Sequence, residues 1–434
     1  MWPQEIKHDR ARGSGAVKRI IILPLLVLLL PTYVQEPGRT SSSDAGYVIA
    51  PDQHPLRAVS DYIDVMKAGG KSANEQGVLI ESLAGGQSLA ALNENVTFNP
   101  ASVMKLATSL AALVRFGPDY RYRTNILADG VVDLRSRSLL GDLVVEGASD
   151  PMFSLLDANE VAAQLSRLGI SRVTGRLRIA GQFYYFANGY HSNLSLETSA
   201  TKLRSALQRA GIRIEGATAF GEKSGTLLLS HYSDALVSIL LFQNAHSSNA
   251  VAEVVGASLG GPQAIQNFLV KELGIAESDL FVGRASGLDF NRITPRATLK
   301  VLRSLIEVLA NHSLKPQDVM AVAGIDAGTL QRRLIRDDVR GSVIAKTGTL
   351  ISIDNGVSTL VGIAYTRTHG PVLFAVFNSG GNVRSYRRLQ DQFIEQLIAE
   401  EGGALPALRN EDALADATGH SIVQVIYGTE AASE

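Results

Sequence analysis

The sequence predicts an α+β fold in which a main domain, an antiparallel sheet flanked by helices, carries a smaller inserted α+β domain. Two apolar strand patterns, Gly77–Leu83 and Gln87–Leu92, predict a hairpin that opens the sheet. Two more, over residues 356–366 and 371–378, predict a hairpin near its end. Between them, residues 118–235 alternate short strands with helices. A chain of 434 residues is expected to form about two domains.

Composition and pattern divide the chain into six segments. They are a signal peptide or membrane anchor at 1–34, a linker at 35–53, the first part of the main domain at 54–117, the inserted domain at 118–235, the second part of the main domain at 236–401, and a tail at 402–434. The linker is predicted because its residues are polar and rich in Ser, Gly and Pro. We interpret the last segment as a disordered tail because it is acidic and rich in Gly and Ala.

The first 34 residues have the pattern of an export signal. Basic residues from Lys7 to Arg19 precede an apolar run that starts at Ile20. The run has about 15 residues and contains proline, which is short for a membrane span and typical of a signal peptide. No A-x-A cleavage site follows, so an uncleaved membrane anchor is the alternative. Either way, we expect a periplasmic or other extracytoplasmic location.

Hydrophobic periodicity predicts the remaining elements. In the main domain we predict helices over residues 54–68, 102–115, 236–259, 262–273, 295–311 and 316–320, strands around Lys346, and a last helix, Val383–Glu401. In the inserted domain we predict strands Leu139–Glu146, Gly175–Ala180 and Thr226–Ser230, and helices Asn159–Leu168 and Ser195–Ala210.

A serine and a lysine three residues apart begin the helix predicted at 102–115. Pro100 and Asn99 precede Ser102, as is typical of a helix start, and spacing i, i+3 places Lys105 beside Ser102. The helix is apolar nearly all round, which predicts burial. Burial lowers the pKa of a lysine, and a neutral amine can remove the proton of a serine. The alternative for Lys105 is a side chain that extends to the surface from an ordinary core helix.

Two further motifs, Ser247-Ser-Asn249 and Lys346-Thr347-Gly348, follow along the chain. Their order after Ser102 and Lys105 resembles that of penicillin-recognising serine enzymes. Ser247-Ser-Asn249 precedes a predicted helix, where Ser and Asn also serve as ordinary caps. Lys346-Thr347-Gly348 lies on a predicted strand. A lysine there supplies positive charge for a substrate carboxylate, and the backbone N–H groups after it can face an oxyanion. Its alternative is an edge-strand lysine that deters aggregation.

Similar short patterns occur elsewhere in the chain, and local context argues against them. Ser199 and Lys202 lie on an amphipathic helix, so Lys202 is expected to be a solvated surface charge. Ser72–Asn74 falls in a polar link before the first strand, and Lys223–Gly225 falls in a loop. We therefore place the active site at Ser102.

Composition excludes several function classes. Lys and Arg number 41 against 42 Asp and Glu, so nothing indicates a nucleic-acid partner. The absence of cysteine excludes disulfides and cysteine–metal sites. The eight histidines have no metal-ligand spacing, and His246, beside the second motif, is more simply an incidental loop residue. We predict neither a metal nor another cofactor.

Beyond these motifs, the chain resembles the class C low-molecular-mass penicillin-binding proteins, the D-alanyl-D-alanine carboxypeptidase/endopeptidase family (peptidase family S13). The resemblance covers roughly residues 54 to 400 and follows the family's order. It is carried by Asn99–Leu106, Gly117–Arg123, Gly147–Pro151, Ser247–Glu253, Ala285–Asn291, Ala323–Leu330 and Ala345–Leu350. It implies a penicillin-binding-protein/β-lactamase-like main domain.

The resemblance also implies an activity and roles for residues. Ser102 would attack the carbonyl between the two terminal D-alanines of a peptidoglycan stem peptide, with Lys105 as general base. Ser247, Asn249 and Lys346 would relay the proton and hold the substrate. The backbone N–H groups of Ser102 and Thr349 would form the oxyanion hole, and Thr347, in the Lys-Thr-Gly348 motif, would bind the terminal carboxylate. β-Lactams would be inhibitors that leave a long-lived acyl adduct.

The chain departs from the family pattern in two places. Longer family members have a substrate loop with Trp and Asp and a further nested domain, whereas Phe183–Tyr190 here leads directly into the helix at Ser195. Arg284-Ala285 replaces the family's usual Asp-Gly. The missing loop keeps one alternative open, a β-lactamase or small-ester hydrolase with the same site. A second alternative is a non-catalytic peptidoglycan-binding module, against which the intact Ser102, Lys105 and Lys346 argue.

Overall fold

The structure is a computed structural model that describes residues 56–186, 195–407 and 421–427. Its α-helices are α1 (Arg57–Ala68), α2 (Lys105–Phe116), α3 (Leu155–Arg167), α4 (Leu196–Arg209), α5 (Leu236–Ala245), α6 (Asn249–Ser258), α7 (Pro262–Lys271), α8 (Pro295–Asn311) and α9 (Val383–Glu400). The segment predicted as a signal peptide or anchor, 1–34, and the linker predicted at 35–53 lie outside these ranges. Among the helices described, none is long and apolar enough to cross a membrane.

Besides these helices, the described residues form two larger sheets, which confirms the predicted α+β fold. The strands of the described residues are β1 (Gln76–Ser82), β2 (Ser88–Leu92), β3 (Arg123–Asp133), β4 (Ser138–Ala148), β5 (Arg172–Val173), β6 (Leu177–Gln182), β7 (Arg213–Ile214), β8 (Thr218–Phe220), β9 (Thr226–Tyr232), β10 (Leu280–Phe281), β11 (Arg292–Ile293), β12 (Ala321–Val322), β13 (Val343–Leu350), β14 (Val357–Tyr365), β15 (Pro371–Asn378) and β16 (Ile422–Val425). Strands β10 and β11 form a small ribbon of their own.

The main sheet has the strand order β12-β13-β14-β15-β1-β2, and all its pairs are antiparallel. Its two central strands, β14 and β15, are buried along almost their whole length, because helices cover both faces. Helices α1 and α9 pack on one face. On the other face, α8 lies against the sheet and α2 packs on α8 and among α5, α6 and α7. Strand β13, next to one edge of this sheet, contacts the turn just before α2.

The second sheet is formed by strands of the segment predicted as an inserted domain, 118–235, and by β16. Its main path is β16-β9-β3-β4-β5-β7, and β6 joins it beside β4 and pairs with β8. Helices α3 and α4 supply the apolar residues that cover this sheet. Strand β3 was not among the predicted strands. It pairs on both sides, with β4 and β9, and its outer half is only partly buried, so its sequence pattern is weak.

The prediction of a disordered tail over 402–434 is wrong for part of that segment. Ile422–Val425 pairs antiparallel with β9, and Ile422 lies opposite Tyr232. Its side chains are exposed or only partly buried, so the burial pattern typical of a core strand is missing. The pairing depends on a partner strand that is distant in sequence, which a local pattern cannot reveal.

Three predicted helices differ from the structure. The helix predicted at 102–115 begins instead with a 3₁₀ turn, Ala101–Met104, and becomes α-helical at Lys105. The segment predicted as helical at 236–259 is divided into α5 and α6, because Ser247 has a φ of 54°, in the left-handed region that a right-handed helix cannot accommodate. The helix predicted to follow Ser247-Ser-Asn249 is α6. The helix predicted at 316–320 is only a single 3₁₀ turn, Pro316–Asp318.

Candidate active site

Ser102 is placed by the 3₁₀ turn that leads into α2. Asn99 Oδ1 accepts a hydrogen bond from the backbone N–H of Ala101 at 2.9 Å, and Ala101 has a φ of 47°. Thr359, on β14, donates its hydroxyl to the Pro100 carbonyl oxygen at 2.8 Å. These contacts attach the turn to the main sheet, so Ser102 stands at the junction between the sheet and the helical layer.

Lys105 lies completely buried one helical turn after Ser102. Its Nζ donates to Ser102 Oγ at 2.9 Å, to Asn249 Oδ1 at 2.7 Å and to the Ser286 backbone carbonyl at 2.7 Å. Burial lowers the pKa of Lys105 to about 7, while the negative charge of Glu253 acts in the opposite direction. Lys105 is therefore partly neutral near pH 7.

A neutral Lys105 has its lone pair available for only one of these partners. A neutral amine carries two N–H groups and one lone pair. Asn249 Oδ1 and the Ser286 carbonyl can only accept hydrogen bonds, so they take the two N–H groups. The lone pair is then left for the hydroxyl proton of Ser102, the third partner. The contacts of Lys105 thus orient it as a base toward Ser102.

Glu253 and Ser286 form a supporting layer that the sequence reasoning did not assign to the site. Glu253 Oε1 accepts from the backbone N–H and the hydroxyl of Ser286, at 3.1 and 2.5 Å. Gly287 follows with a φ of 77°, and an added Cβ would lie 1.8 Å from the Ala101 carbonyl oxygen. Glu253 and Ser286 lie in segments that carry the family resemblance, but no local pattern indicated that they contact Lys105 or its neighbours.

Ser247 and Lys346 form a second pair of serine and lysine. Lys346 Nζ donates to Ser247 Oγ at 2.9 Å and to the Thr347 carbonyl at 2.7 Å. Lys346 is fully buried, and this burial, together with the positive charge of Lys105, lowers its pKa well below the ordinary value. Ser247 and Asn249 are two residues apart, where the chain enters α6, so this short segment joins the second pair to the first.

The residues after Lys346 line the edge of β13. Thr347 Oγ1 donates to Thr329 Oγ1 at 3.0 Å. At Gly348 an added Cβ would lie 2.0 Å from Thr359 Oγ1 and 2.5 Å from the Pro100 carbonyl. The glycine thus allows the strand to approach the turn that carries the nucleophile. Thr349 accepts a hydrogen bond on its hydroxyl from Arg387 of α9, at 2.7 Å. Neither Thr329 nor Arg387 was predicted from the sequence.

The structure separates Ser199 from this group of residues. Ser199 is buried in α4, and its hydroxyl accepts the backbone N–H of Tyr185 at 3.2 Å, as expected of a structural serine. Ser72 caps a 3₁₀ turn through Asn74 N–H. The ring of His246 packs against Phe242 at a tilt of 35°, with centroids 4.6 Å apart, and burial lowers the pKa of His246. Within the described ranges, no three or more acidic or histidine side chains are placed to hold a metal ion.

The fold and these three motifs define the class of penicillin-recognising serine acyl-transferases. In this class, a serine beside a lysine three residues later, a Ser-x-Asn loop and a Lys-Thr-Gly strand meet at one site. Here Lys105 hydrogen-bonds both Ser102 and Asn249, which joins the first motif to the second. Lys346 hydrogen-bonds Ser247, which joins the third motif to the second.

The family model for the D-Ala-D-Ala carboxypeptidase 3 (S13) family matches residues 60–186 and 192–399. The chain belongs to this family. The D-alanyl-D-alanine carboxypeptidase of Actinomadura sp. (strain R39) is 27% identical over 177 residues, which are 40% of this chain and 31% of that relative. The matched segment thus spans about a third of the relative's length.

Solved structures with the same fold include proteins of two bacteria. A predatory endopeptidase of Bdellovibrio bacteriovorus, in complex with an immunity protein, is 22% identical with a TM-score of 0.67, over 77% of this chain and 95% of that chain. The same endopeptidase has also been solved acylated by penicillin G. Penicillin binding protein 4 of Haemophilus influenzae is 20% identical with a TM-score of 0.63, over 78% and 99% of the two chains. At these identities, the likeness shows the fold.

Proposed function

We propose that the protein is a serine DD-peptidase that cleaves the D-Ala-D-Ala terminus, or the cross-link, of peptidoglycan stem peptides. The observation that carries the proposal is the 2.9 Å hydrogen bond between Ser102 Oγ and Lys105 Nζ, in a site where the lysine has a pKa of about 7. Membership of the S13 family supports this substrate, since the description of the family names a D-Ala-D-Ala carboxypeptidase.

Acylation begins with proton transfer from Ser102 to Lys105. The Ser102 oxygen then attacks the carbonyl of the penultimate D-alanine, and the carbonyl oxygen becomes an oxyanion. We assign the oxyanion hole to the backbone N–H groups of Ser102, on the 3₁₀ turn before α2, and of Thr349, directly after the Lys-Thr-Gly motif, as the family resemblance implies. Asn249 and the Ser286 carbonyl keep the Lys105 amine in place during the transfer.

Collapse of the tetrahedral intermediate releases the terminal D-alanine. Its amine takes up the proton that Lys105 removed from Ser102, which leaves Lys105 neutral again. We expect Ser247, whose hydroxyl accepts from Lys346 at 2.9 Å, to relay this proton. The terminal carboxylate is held at Thr347, at the edge of β13. Water then hydrolyses the ester on Ser102. A β-lactam would also acylate Ser102, and its ester would hydrolyse slowly. Penicillin G does acylate the Bdellovibrio endopeptidase, which has this fold.

Peptidoglycan lies outside the cytoplasmic membrane, so this substrate requires an extracytoplasmic enzyme. The basic and apolar pattern of residues 1–34 supports export. We propose a signal peptide there, with an uncleaved membrane anchor as the alternative. The apolar run is short for a membrane span, which favours the signal peptide.

A labelled penicillin tests the proposed activity. The full chain is incubated with a fluorescent penicillin, the adduct is located by peptide mass spectrometry, and its lifetime is measured. A persistent ester on Ser102, together with D-alanine release from a pentapeptide, is the expected result. Rapid loss of the adduct with penicillin turnover would indicate a β-lactamase, and absence of an adduct would indicate a non-catalytic binding module.

A further inference from the structure

Arg387 connects the last helix to the strand that carries the Lys-Thr-Gly motif. It lies on the second turn of α9, and its guanidinium donates to Thr349 Oγ1 at 2.7 Å. Thr349 is the residue directly after Lys346-Thr-Gly348. Arg387, on the face of the sheet covered by α1 and α9, is thus held at the rim of the active site.

The surroundings of Arg387 are rich in arginine. Arg333 is engaged in an ion pair with Asp391 at 2.7 Å. No carboxylate among the described residues forms such a pair with Arg387 itself. Although the residue as a whole is exposed, partial burial of its guanidinium and the charge of Arg333 lower the pKa of Arg387, while the negative charge of Asp391 acts in the opposite direction. The positive charge at this rim is therefore not neutralised by an ion pair with a described carboxylate.

The direction of the side chains on β13 brings Arg387 close to the substrate. Side chains two residues apart point to the same face of a strand, about 7 Å from each other. Thr347 and Thr349 therefore share the face on which Arg387 ends. A guanidinium has five N–H donors. Thr349 takes one of these donors, and the remaining N–H groups can bind a ligand that also contacts Thr347.

We propose that Arg387 is a specificity-determining residue that binds the carboxylate on the leaving-group side of the scissile bond, together with Thr347. This assignment rests on the proposed DD-peptidase function. Carboxylate and guanidinium form strong charge-assisted pairs that can be bidentate. Thr349 holds the guanidinium in position, so the arginine needs little rearrangement when the substrate enters. The substrates selected are peptides with a free carboxylate next to the departing amine.

Two thioester substrates test this assignment directly. Both carry the same N-acyl-D-alanyl group. One has thioglycolate as its leaving group, with a free carboxylate, and the other has the neutral methylamide of thioglycolate. Released thiol is measured with a disulfide reagent, and the protein contributes no background because it contains no cysteine. The variants are Arg387→Ala, Arg387→Lys and the matched control Arg388→Ala, which removes an exposed arginine about 100° further round the same helix.

The assignment predicts a loss that depends on the substrate. Arg387→Ala should lower kcat/KM for the carboxylate thioester by about 10- to 100-fold, the range for a hydrogen bond to a charged group. It should change the neutral thioester by less than about threefold, since that substrate never forms the pair. Arg387→Lys should recover part of the loss, because it restores the charge without the fork. Arg388→Ala should leave both substrates unchanged.

Other outcomes would overturn the assignment. An equal loss on both thioesters would make Arg387 a packing or positioning residue for the strand, and no loss on either would remove it from recognition. Thermal melting of each variant shows whether the fold persists. If Arg387→Ala fails to fold, Thr349→Val provides the second test: it keeps the backbone N–H but removes the anchor of Arg387, and should show a smaller loss confined to the carboxylate thioester. Failure of the wild-type chain to hydrolyse either thioester would instead refute the proposed function.

Discussion

Glu253 Oε1 accepts two hydrogen bonds from Ser286, one from its backbone N–H at 3.1 Å and one from its hydroxyl at 2.5 Å. The Ser286 carbonyl in turn accepts from Lys105 at 2.7 Å. Glu253 thus fixes an acceptor for the lysine and also places a negative charge near it. These two effects, one of position and one of charge, can be separated by experiment.

Replacing Glu253 with glutamine should move the pH dependence of acylation to lower pH. The negative charge of Glu253 raises the pKa of Lys105, so its removal lowers that pKa and leaves more neutral amine below pH 7. The glutamine carbonyl can still accept from Ser286. The acylation rate with a fluorescent penicillin, measured from pH 5 to 10, reports the shift.

The exposed Glu272→Gln is the control for Glu253→Gln, because it makes the same change of net charge at the surface. Its profile should coincide with that of the wild type. A shift of the Glu253→Gln profile to higher pH would contradict the electrostatic explanation.

Replacing Lys105 with arginine should remove the base. In the wild type, the acylation rate should rise with pH below about 7 and level off above it, since only the neutral amine accepts the proton. A guanidinium does not lose its proton at accessible pH. Lys105→Arg should therefore acylate about 10²- to 10⁴-fold more slowly, with no such rise. Near wild-type acylation in this variant would assign the base to another residue.

The two serines that begin an S-x-x-K pattern should behave differently. Ser102→Ala should abolish both penicillin labelling and D-alanine release, because it removes the attacking oxygen while the melting temperature stays close to that of the wild type. Ser199→Ala is the matched control. It removes an acceptor for Tyr185 N–H and should cost about 1 kcal/mol of stability but keep the labelling. Labelling of the Ser102 variant and not of the Ser199 variant would reverse our assignment.

Gly348 should not tolerate a methyl group. In Gly348→Ala the new Cβ would lie 2.0 Å from Thr359 Oγ1 and 2.5 Å from the Pro100 carbonyl, so β13 must move away from the turn that carries Ser102. We expect the free energy of unfolding to fall by about 1–3 kcal/mol and the penicillin labelling to be lost.

Gly85→Ala is the control for Gly348→Ala, because no atom outside its chain neighbours lies within 4 Å of its added Cβ. It should change stability by no more than about 0.5 kcal/mol and leave labelling intact. Denaturant unfolding and fluorescent penicillin measure the two effects. Full labelling of Gly348→Ala would mean that the strand and the turn can separate without affecting the nucleophile.

Sequence reasoning found the parts of the site that lie within short motifs. Ser102 and Lys105 are three residues apart, and an apolar helix around them already indicates a buried lysine. It did not find Thr329 or Arg387. Thr329 hydrogen-bonds Thr347 at 3.0 Å from 18 residues away, and Arg387 hydrogen-bonds Thr349 at 2.7 Å from 38 residues away. Neither separation belongs to a short motif or a regular repeat. Such contacts depend on how strands and helices pack, which a single sequence does not encode in a local pattern.

The sequence by itself determined the α+β class, most helices and the three motifs, because helical and strand periodicity and short catalytic spacings are properties of neighbouring residues. Only the tertiary structure decided which carbonyl orients Lys105, since Ser286 is 181 residues away, and that Ile422–Val425 completes the second sheet. It also decided where α2 begins: Asn99 and Ala101 set a 3₁₀ turn that β14 anchors through Thr359. The physical reason is that hydrogen bonds between distant segments form only where the packing of the core brings them together.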